Sequence, residues 1–416
     1  MSEFELSPDQ KSAVDALMSW RTNPLDGFIT FGGYAGCGKT TILSHLRMLL
    51  PSNIKIAFCA YTGKAASVLK SKLIKCGINN FPNDSISTIH SLIYEPPKDD
   101  ENNPDPEIKW ILKTELDCDL IICDEASMVS ETIFEHLMSF NIPIIFAGDH
   151  GQLPPIEGTL NLMDNPLIKL EKVHRFAEKN PLTKISLLAR LEGYISHGTY
   201  GDVVHKVPKK HSMITDFINN CGTFDNTAIL CGFNKTRIEL NQKIRTWNKR
   251  EGKIPLPGER VICLRNNAQA SRCPIYNGVG GTIAEVSNRT DHLHAKISID
   301  GEEKNYIGKI SKNIFNNPNP DMSSEWILEI PEDKDEDDVD KIQRFLQQNQ
   351  YSKKPRRKYL DCFDFGYCMT VHKSQGSEWD RVMLIEQPCQ HWSGELWARW
   401  LYTAVTRSKS ELLIVR

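Results

Sequence analysis

Short apolar runs followed by small or polar residues recur along the chain. In the first half they are "GFITFGGYAG" from Gly27, "IKIAFCAYTG" from Ile54, "DLIICDEAS" from Asp119 and "IPIIFAGD" from Ile142. Runs that are apolar on both faces are typical of buried strands in a parallel sheet. Amphipathic stretches of helix length lie between them, for example "TTILSHLRMLL" from Thr40. The pattern therefore predicts a doubly wound α/β unit in the first half.

A second set of apolar runs lies later, in "TAILCGFN" from Thr227, "RVMLIEQP" from Arg381 and the terminal "ELLIVR". These runs predict a second α/β unit. Between them, the segments that start at Gly258, Asn277 and Leu293 alternate apolar and polar residues and are separated by turn residues. Such alternation is typical of half-buried strands, so we expect a small β barrel inserted in the second unit.

Composition narrows the class of protein. The chain has 416 residues, 40% hydrophobic and 25% charged, which favours about two to four domains over one large core. Its 12 cysteines form no CxxC pair and no Cys/His cluster at zinc spacing, which indicates reduced thiols. No signal pattern and no apolar run of roughly 20 residues occurs, so we expect a soluble cytoplasmic protein with no membrane contact. The net charge of −3 restricts any nucleic-acid contact to a local cleft.

The segment "GYAGCGKT" fits the pattern of a phosphate-binding loop between a strand and a helix. Glycines let backbone N–H groups approach phosphate oxygens, and the helix N-terminus adds positive potential. Lys39 supplies a mobile charge, and the Thr40 hydroxyl is suited to Mg²⁺. The residues expected to bind a nucleotide here are Gly33, Gly36, Cys37, Gly38, Lys39, Thr40 and Thr41.

Two adjacent carboxylates, Asp124 and Glu125 in "CDEAS", follow an apolar strand. We assign Asp124 to the metal, directly or through water, and Glu125 to orienting and deprotonating the attacking water. An acidic pair at a strand end is also a common helix cap. Together with the phosphate loop, the pair predicts Mg²⁺-dependent hydrolysis of a nucleoside triphosphate.

Hydrolysis alone also fits a kinase, a transporter subunit, a GTPase-like switch or a motor, so the remaining motifs must distinguish these classes. In order, they are "SPDQKSA", "AYTGKAA", "STIHS", "GDHGQLPPI", "VHRF", "VHKSQGSEWD" and "LYTAVTRSK". This ordered set resembles the superfamily 1B helicases, and specifically their RecD-like and Dda-like branch. The resemblance extends from Gln10 to Arg407, nearly the whole chain.

The resemblance implies roles around the nucleotide. Gln10 is similar to a glutamine that reads adenine, and Gln152 to the sensor of the γ-phosphate, in a loop that Asp149 helps to hold. Arg175 in "VHRF" and Arg407 in "LYTAVTRSK" resemble the two arginines that the second lobe contributes. A guanidinium in that place neutralises charge on the transferred phosphoryl group. Glu378 is expected to contact the ribose or the DNA strand.

The resemblance also implies contacts to a DNA strand through hydroxyls and charges. Tyr61 stands where the family usually has proline, which puts the detail of that contact in doubt. Asn234, near Arg237, fits a strand-contacting loop and a helix cap almost equally. Tyr94 and Trp110 are candidates for a wedge or stacking residue, although a single aromatic ring is more often core packing. The full set is Thr62, Lys64, Thr88, His90, Tyr94, Trp110, Asn234, Thr370, His372, Lys373 and Ser374.

The resemblance divides the chain into domains. Residues 1–165 are expected to form a first RecA-like P-loop NTPase lobe, with a small pin subdomain inserted at about 92–116. A second RecA-like lobe is expected at 166–257 and 362–416, with an SH3-like β-barrel inserted at 258–361. The predicted class is therefore α/β with two similar lobes.

The implied function is an ATP-dependent DNA helicase that uses ATP and Mg²⁺. The branch implies 5′ to 3′ movement on single-stranded DNA and unwinding of forked duplex DNA, in replication, recombination or repair. Single-strand-binding or replication proteins are further expected partners, and the chain is expected to be a monomer. A superfamily 1 RNA helicase, a P-loop ATPase acting on a protein partner, and a subunit of a recombination nuclease remain open alternatives.

Overall fold

The structure is a computed structural model. It describes residues 6–24, 26–78, 81–95, 111–155, 158–171, 180–221, 224, 226–267, 273, 275–300, 302, 304–329 and 356–416. None of the helices in these ranges combines the length and the apolar character that crossing a membrane requires.

The first unit is a six-stranded parallel sheet with helices around it. Its central strands are apolar on both faces, and Ile56–Ala60 and Ile144–Gly148 are buried at every position. In spatial order the strands are β3 (Ser85–Thr88), β2 (Ile56–Ala60), β6 (Leu120–Asp124), β7 (Ile144–Gly148), β1 (Phe28–Gly33) and β8 (Ile168–Leu170). The helices are α1 (Pro8–Thr22), α2 (Lys39–Leu49), α3 (Gly63–Lys75), α4 (Ile89–Ile93) and α5 (Glu131–Met138).

The first sheet continues past the expected boundary at residue 165. Strand β8 pairs with β1 through Phe31 opposite Ile168 and Gly33 opposite Leu170. The side chain of Leu170 is buried in the same core as Phe31. The boundary expected between 165 and 166 is therefore too early, because an apolar edge strand still completes the first sheet.

The second unit is also a six-stranded sheet, parallel except at one edge. In spatial order its strands are β19 (Cys368–Thr370), β11 (Thr227–Cys231), β20 (Trp379–Ile385), β21 (Ser408–Val415), β10 (Val204–Val207) and β9 (Gly198–Tyr200). Its helices are α6 (Pro181–Glu192), α7 (Ser212–Asn219), α8 (Asn234–Trp247) and α9 (Gly394–Val405). The chain therefore has an α/β fold with two largely parallel sheets, as the apolar runs predict.

A five-stranded antiparallel sheet interrupts the second unit between β11 and β19. Its strands are β15 (Tyr306–Ile310), β14 (Leu293–Ile299), β13 (Gly280–Asn288), β12 (Arg260–Cys263) and β18 (Phe363–Phe365). Strand β18 pairs with β12 and lies beyond residue 361, where the insertion was expected to end. The boundary at 361 is thus too early, since Phe363 and Phe365 belong to the core that this sheet shares with the second unit.

A buried ion pair anchors the start of this insertion. The Arg245 guanidinium on α8 donates from Nε to Oε1 of Glu259 at 2.8 Å and from Nη2 to Oε2 at 3.1 Å. Tyr367 donates its hydroxyl hydrogen to the same carboxylate at 3.2 Å. Removing one member of such a pair typically costs about 3–5 kcal/mol, because the other charge remains buried. These contacts fix the insertion to α8.

Two short antiparallel pairs complete the description. Strands β16 (Trp326–Glu329) and β17 (Arg356–Tyr359) form one pair. Strands β4 (Tyr94–Glu95) and β5 (Ile111–Leu112) form the other, within the segment expected to be a pin. Residues 96–110 between them, including Trp110, lie outside the described residues.

Candidate functional site

The phosphate loop lies between β1 and α2, where the sequence places it. Gly36 and Gly38 have φ angles of +84° and +85°, in the left-handed region that favours glycine. Lys39 opens α2 and donates from Nζ to the backbone oxygens of Gly33, at 2.6 Å, and Tyr34, at 3.3 Å. The lysine amine therefore lies over the loop, beside a helix N-terminus that favours anions.

Gln10 on α1 is packed directly on this loop. It donates from Nε2 to the backbone oxygen of Cys37 at 3.1 Å, and its Oε1 accepts from the backbone N–H of Ser7. A Cβ added to Gly38 would lie 2.6 Å from the Gln10 Nε2. Burial raises the pKa of the Cys37 thiol to about 11, so this thiol is neutral. Gln10 thus contacts the loop, and both the nitrogen and the oxygen of its side-chain amide are hydrogen-bonded to the protein itself.

The acidic pair ends β6 at the same edge of the sheet. Oδ1 of Asp124 accepts from the backbone N–H of Glu125 at 2.9 Å. Glu125 has a φ angle of +56°, an uncommon conformation for a non-glycine residue and one that clusters at functional sites. Burial and then the charge of Asp124 raise the pKa of Glu125. Among the described residues, the Glu125 Oε2 is buried without a hydrogen-bond partner.

The loop after β7 lies between the acidic pair and the phosphate loop. Asp149 organises it: Oδ1 accepts from the N–H of Gly151 at 2.9 Å, and Oδ2 accepts from Nε2 of Gln152 at 3.2 Å. The Gln152 Oε1 is buried and has no partner within the described part of the chain. Gln152 and Glu125 therefore each bring an unsatisfied oxygen to the site.

The second unit faces this site with cations. The Arg407 guanidinium is buried and donates to the backbone oxygens of Thr403, at 2.9 Å, and Ser377, at 3.1 Å. Its charge nevertheless acts across the units, since it counteracts the raised pKa of Glu125. Arg190 on α6 stacks 3.6 Å over the ring of Tyr34 in the phosphate loop. The site is thus built from both units.

Besides the bond from the Tyr402 hydroxyl to Asp149 Oδ2 at 2.9 Å, three hydrogen bonds among the described residues join the two units directly at the nucleotide site. Sequence reasoning did not assign a role to the second-unit residues that form them. The sequence could have indicated them, because Gln375, Tyr402 and Thr403 lie inside motifs that carry the family resemblance. The bonds run from the Ala35 N–H to the Tyr402 hydroxyl (2.9 Å), from the Leu153 N–H to Thr403 Oγ1 (3.0 Å) and from Gln375 Nε2 to the Leu153 oxygen (3.2 Å).

The donor set fits Mg²⁺ and a triphosphate. Mg²⁺ typically takes one or two protein oxygens and completes its shell with water and phosphate. Thr40 at the start of α2 and Asp124 at the end of β6 offer one hydroxyl and one carboxylate. Within the described ranges, no group of three or more His, Cys, Asp and Glu could hold a metal ion by itself. The unsatisfied oxygens of Glu125 and Gln152 further indicate a polar ligand.

Three hydroxyls expected to contact a strand form local hydrogen bonds with the backbone. Thr62 Oγ1 accepts from the Ala65 N–H at 3.1 Å at the start of α3. Thr88 Oγ1 is buried and accepts from the Ser91 N–H at 3.1 Å. Ser374 is fully buried and donates to the Val371 oxygen at 2.7 Å. The hydroxyls of Thr88 and Ser374 are thus engaged by the protein, and their contact with a strand stays a prediction.

Other candidate residues differ in exposure: Lys64 is half-buried, Thr370 is buried and Asn234 is exposed. Lys64 is half-buried, and desolvation lowers its pKa while the nearby Asp300 opposes this. A Cβ added to neighbouring Gly63 would lie 2.0 Å from the Tyr276 Cβ, so the insertion packs closely on this end of α3. Thr370 is buried, and Asn234 accepts from Nε of Arg237 at 3.4 Å. Direct strand contact is therefore less supported for these residues.

The turn after β19 carries the best exposed candidates. Lys373 is exposed. Desolvation by the surrounding protein, and then the positive charge of Arg237, lower its pKa. His372 is half-buried, burial lowers its pKa, and its ring lies 6.3 Å from that of Trp392. Glu378 is half-buried on the same segment. This turn is the part of the expected strand path with an accessible cation.

Of the remaining aromatic and arginine candidates, Tyr94 and His90 lie among the described residues, and Trp110 and Arg175 do not. Tyr94 is packed among core residues and its hydroxyl lies 2.7 Å from Nδ1 of His136, which favours packing over a wedge. The rings of His90 and Tyr94 are 5.6 Å apart, and burial lowers the pKa of His90. Arg175 lies outside the described residues, as does Trp110.

Comparisons with known proteins agree with this geometry. A family model described as an AAA domain matches residues 5–202, and one described as a UvrD-like helicase C-terminal domain matches residues 365–415. The ATP-dependent RecD2 DNA helicase of Deinococcus radiodurans is 23% identical over 97% of this chain and 48% of its own length. The ATP-dependent DNA helicase dda of Enterobacteria phage T4 is 30% identical over 38% of this chain and 34% of its own.

A solved structure of Bacteroides Pif1 bound to single-stranded DNA has a TM-score of 0.53 at 14% identity, covering 99% of this chain and 92% of that one. The likeness shows a shared fold. The chain spans about half the length of the RecD2 relative. The ordered motifs and these matches make the chain similar to superfamily 1 helicases of the RecD-like type, and it shares the fold of the solved Pif1 structures.

Proposed function

We propose that the chain is an ATP-dependent DNA helicase that moves 5′ to 3′ on single-stranded DNA and unwinds forked duplex DNA. One observation carries the proposal: hydrogen bonds from Tyr402 and Thr403 of the second unit reach the phosphate loop and the Gln152 loop of the first, so both units build the site. A nucleotide site shared between two units lets hydrolysis open and close them. The named relatives RecD2 and dda are ATP-dependent DNA helicases, which supports DNA as the nucleic acid along which the chain moves.

The residues divide the hydrolysis chemistry among themselves. Lys39 and the glycine-rich loop bind the phosphates, and Gln10 lies beside the loop, where an adenine would be read. Thr40 and Asp124 would hold Mg²⁺, which supplies charge neutralisation when bound. Glu125 orients a water and accepts its proton, since its buried carboxylate has an unsatisfied oxygen. Arg407, and Arg175 by resemblance, neutralise charge on the γ-phosphate that Gln152 senses.

The finer domain assignment belongs to the same proposal. The two sheets correspond to RecA-like lobes, the insertion to an SH3-like domain, and the segment around β4 and β5 to a pin. Single-stranded and forked DNA would cross both lobes and contact Lys373 and His372 at the accessible turn. We infer a cytoplasmic monomer that works in replication, recombination or repair, with single-strand-binding or replication proteins as further partners.

Unwinding of matched forks tests activity and polarity together. Purified protein is given ATP, Mg²⁺ and DNA forks that carry either a 5′ or a 3′ single-stranded tail, and strand separation is measured. We expect unwinding of the 5′-tailed fork and none with Lys39→Ala. Preference for the 3′ tail would overturn the polarity. ATP hydrolysis stimulated by RNA but not by DNA would favour an RNA helicase, and hydrolysis that neither stimulates would favour action on a protein partner.

A further inference from the structure

Tyr402 connects the second unit to two parts of the nucleotide site at once. It is 2% exposed and lies on α9. Its hydroxyl oxygen accepts from the N–H of Ala35 in the phosphate loop at 2.9 Å, and its hydrogen is donated to Oδ2 of Asp149 at 2.9 Å. Both partners belong to the first unit, so one phenol bridges the loops that follow β1 and β7.

The phenol is held in its neutral form. Burial and then the charge of Asp149 raise the pKa of Tyr402 well above its ordinary value. It therefore remains a hydrogen-bond donor to Asp149 at any physiological pH. A buried hydroxyl that both accepts and donates is fixed in direction, which makes it suited to positioning.

The backbone of Tyr402 is linked through Thr406 to Arg407. The backbone oxygen of Tyr402 accepts from the Thr406 hydroxyl at 2.9 Å. The Thr406 Oγ1 accepts in turn from Nη2 of Arg407 at 3.1 Å. Tyr402 thus contacts the phosphate loop through its hydroxyl, and its backbone oxygen is linked through the Thr406 hydroxyl to the Arg407 guanidinium.

We propose that Tyr402 is a positioning residue that sets the Arg407 guanidinium according to whether the phosphate loop is occupied. A phosphate oxygen competes with the Tyr402 hydroxyl for the N–H of Ala35, so occupancy of the loop loosens one of the bonds that hold this end of α9 to the first unit. The inference rests on the proposed nucleotide hydrolysis and adds the path by which the second unit detects the nucleotide.

A double-mutant cycle tests the path. Tyr402→Phe keeps the ring and removes the hydroxyl, and single-turnover hydrolysis is measured at saturating ATP with oligo(dT). Tyr402→Phe should lower the single-turnover hydrolysis rate about tenfold in the otherwise natural chain. In a chain that already carries Arg407→Ala it should lower the rate less than about twofold, because a residue that acts through Arg407 loses its effect there. Equal falls in both backgrounds, or no fall in the first, would overturn the proposal. Tyr200→Phe is the matched control, since its hydroxyl donates to the Ser196 oxygen within the second unit.

Two further measurements keep the outcome decisive. If Tyr402→Phe fails to fold by thermal melting, Thr406→Val breaks the same path at its other end and must give the same non-additivity with Arg407→Ala. Hydrogen exchange of residues 401–407 gives a readout that needs no turnover. A non-hydrolysable ATP analogue should change protection there in the natural chain and not in Tyr402→Phe. Absent turnover in the natural chain would reject the proposed function, whereas an unchanged exchange response in Tyr402→Phe would reject the role of Tyr402.

Discussion

Gln375 donates a hydrogen bond from its side-chain amide to the backbone oxygen of Leu153, at 3.2 Å. Gln375 directly follows the turn His372–Ser374 in the second unit, and Leu153 directly follows Gln152 in the first. Both side chains are buried. The turn expected to meet the strand is therefore bonded to the loop expected to sense the γ-phosphate. This hydrogen bond joins the turn to the loop that carries Gln152.

Lys373 is the accessible cation of that turn, so its loss should affect DNA stimulation first. In Lys373→Ala we expect the DNA concentration needed for half-maximal ATPase stimulation to rise about tenfold, while turnover without DNA falls less than twofold. The two quantities are measured by titrating oligo(dT) at fixed salt. Lys184→Ala, an exposed lysine on α6, serves as the control. Equal loss of basal and stimulated turnover would argue against strand contact.

Lys39 is the mobile charge of the phosphate loop. Lys39→Ala should reduce ATP turnover by about 10²-fold or more, because the positive group that neutralises phosphate charge is gone. A steady-state ATPase assay measures the effect, and thermal melting checks that the fold is retained. The exposed Lys75→Ala in the same unit should behave like the natural chain. Near-normal turnover in Lys39→Ala would refute the phosphate-loop assignment.

Arg407 should matter for the chemical step more than for binding. In Arg407→Ala we expect hydrolysis to slow by about 10³-fold if the residue acts as an arginine finger. Affinity for ATP, followed with a fluorescent nucleotide, should change by less than about fivefold. The neighbouring exposed residue Lys409 provides the control variant Lys409→Ala. A loss of affinity with an unchanged rate at saturating ATP would show that Arg407 contributes equally to the ground state and the transition state, and would contradict the prediction.

Glu125 predicts the acid limb of the pH–rate profile. A general base works only when deprotonated, so the rate falls as pH drops through its pKa. Burial and Asp124 raise that pKa above the ordinary 4.5, and the fall must therefore begin at a higher pH than an exposed glutamate would give. Single-turnover rates at saturating ATP over about pH 5 to 9 measure it. Glu135→Gln, at an exposed position, should leave the limb in place, and an acid limb near the ordinary value would contradict the prediction.

Local sequence determined the elements that hold the chemistry. Strands buried on both faces must be apolar throughout, and this pattern identifies β2, β6 and β7 and the loops that follow them. Gly36 and Gly38 are required where the backbone turns left-handed, and Asp124 and Glu125 follow β6 directly. The parallel arrangement then brings the loops to one edge, so the nucleotide site was accessible to sequence reasoning.

Tertiary structure decided what depends on contacts between distant residues. The edges of the units were misplaced, because the pairing of β8 with β1 and of β18 with β12 joins segments that are far apart in sequence. A motif likewise does not show which way a hydroxyl points. Ser374 turns inward to the Val371 oxygen, whereas Tyr402 reaches Ala35 across 367 positions of chain. The sequence determines which chemical groups are present. The packing of the two units determines which of them come into contact, because the direction of a side chain depends on neighbours that only the folded chain supplies.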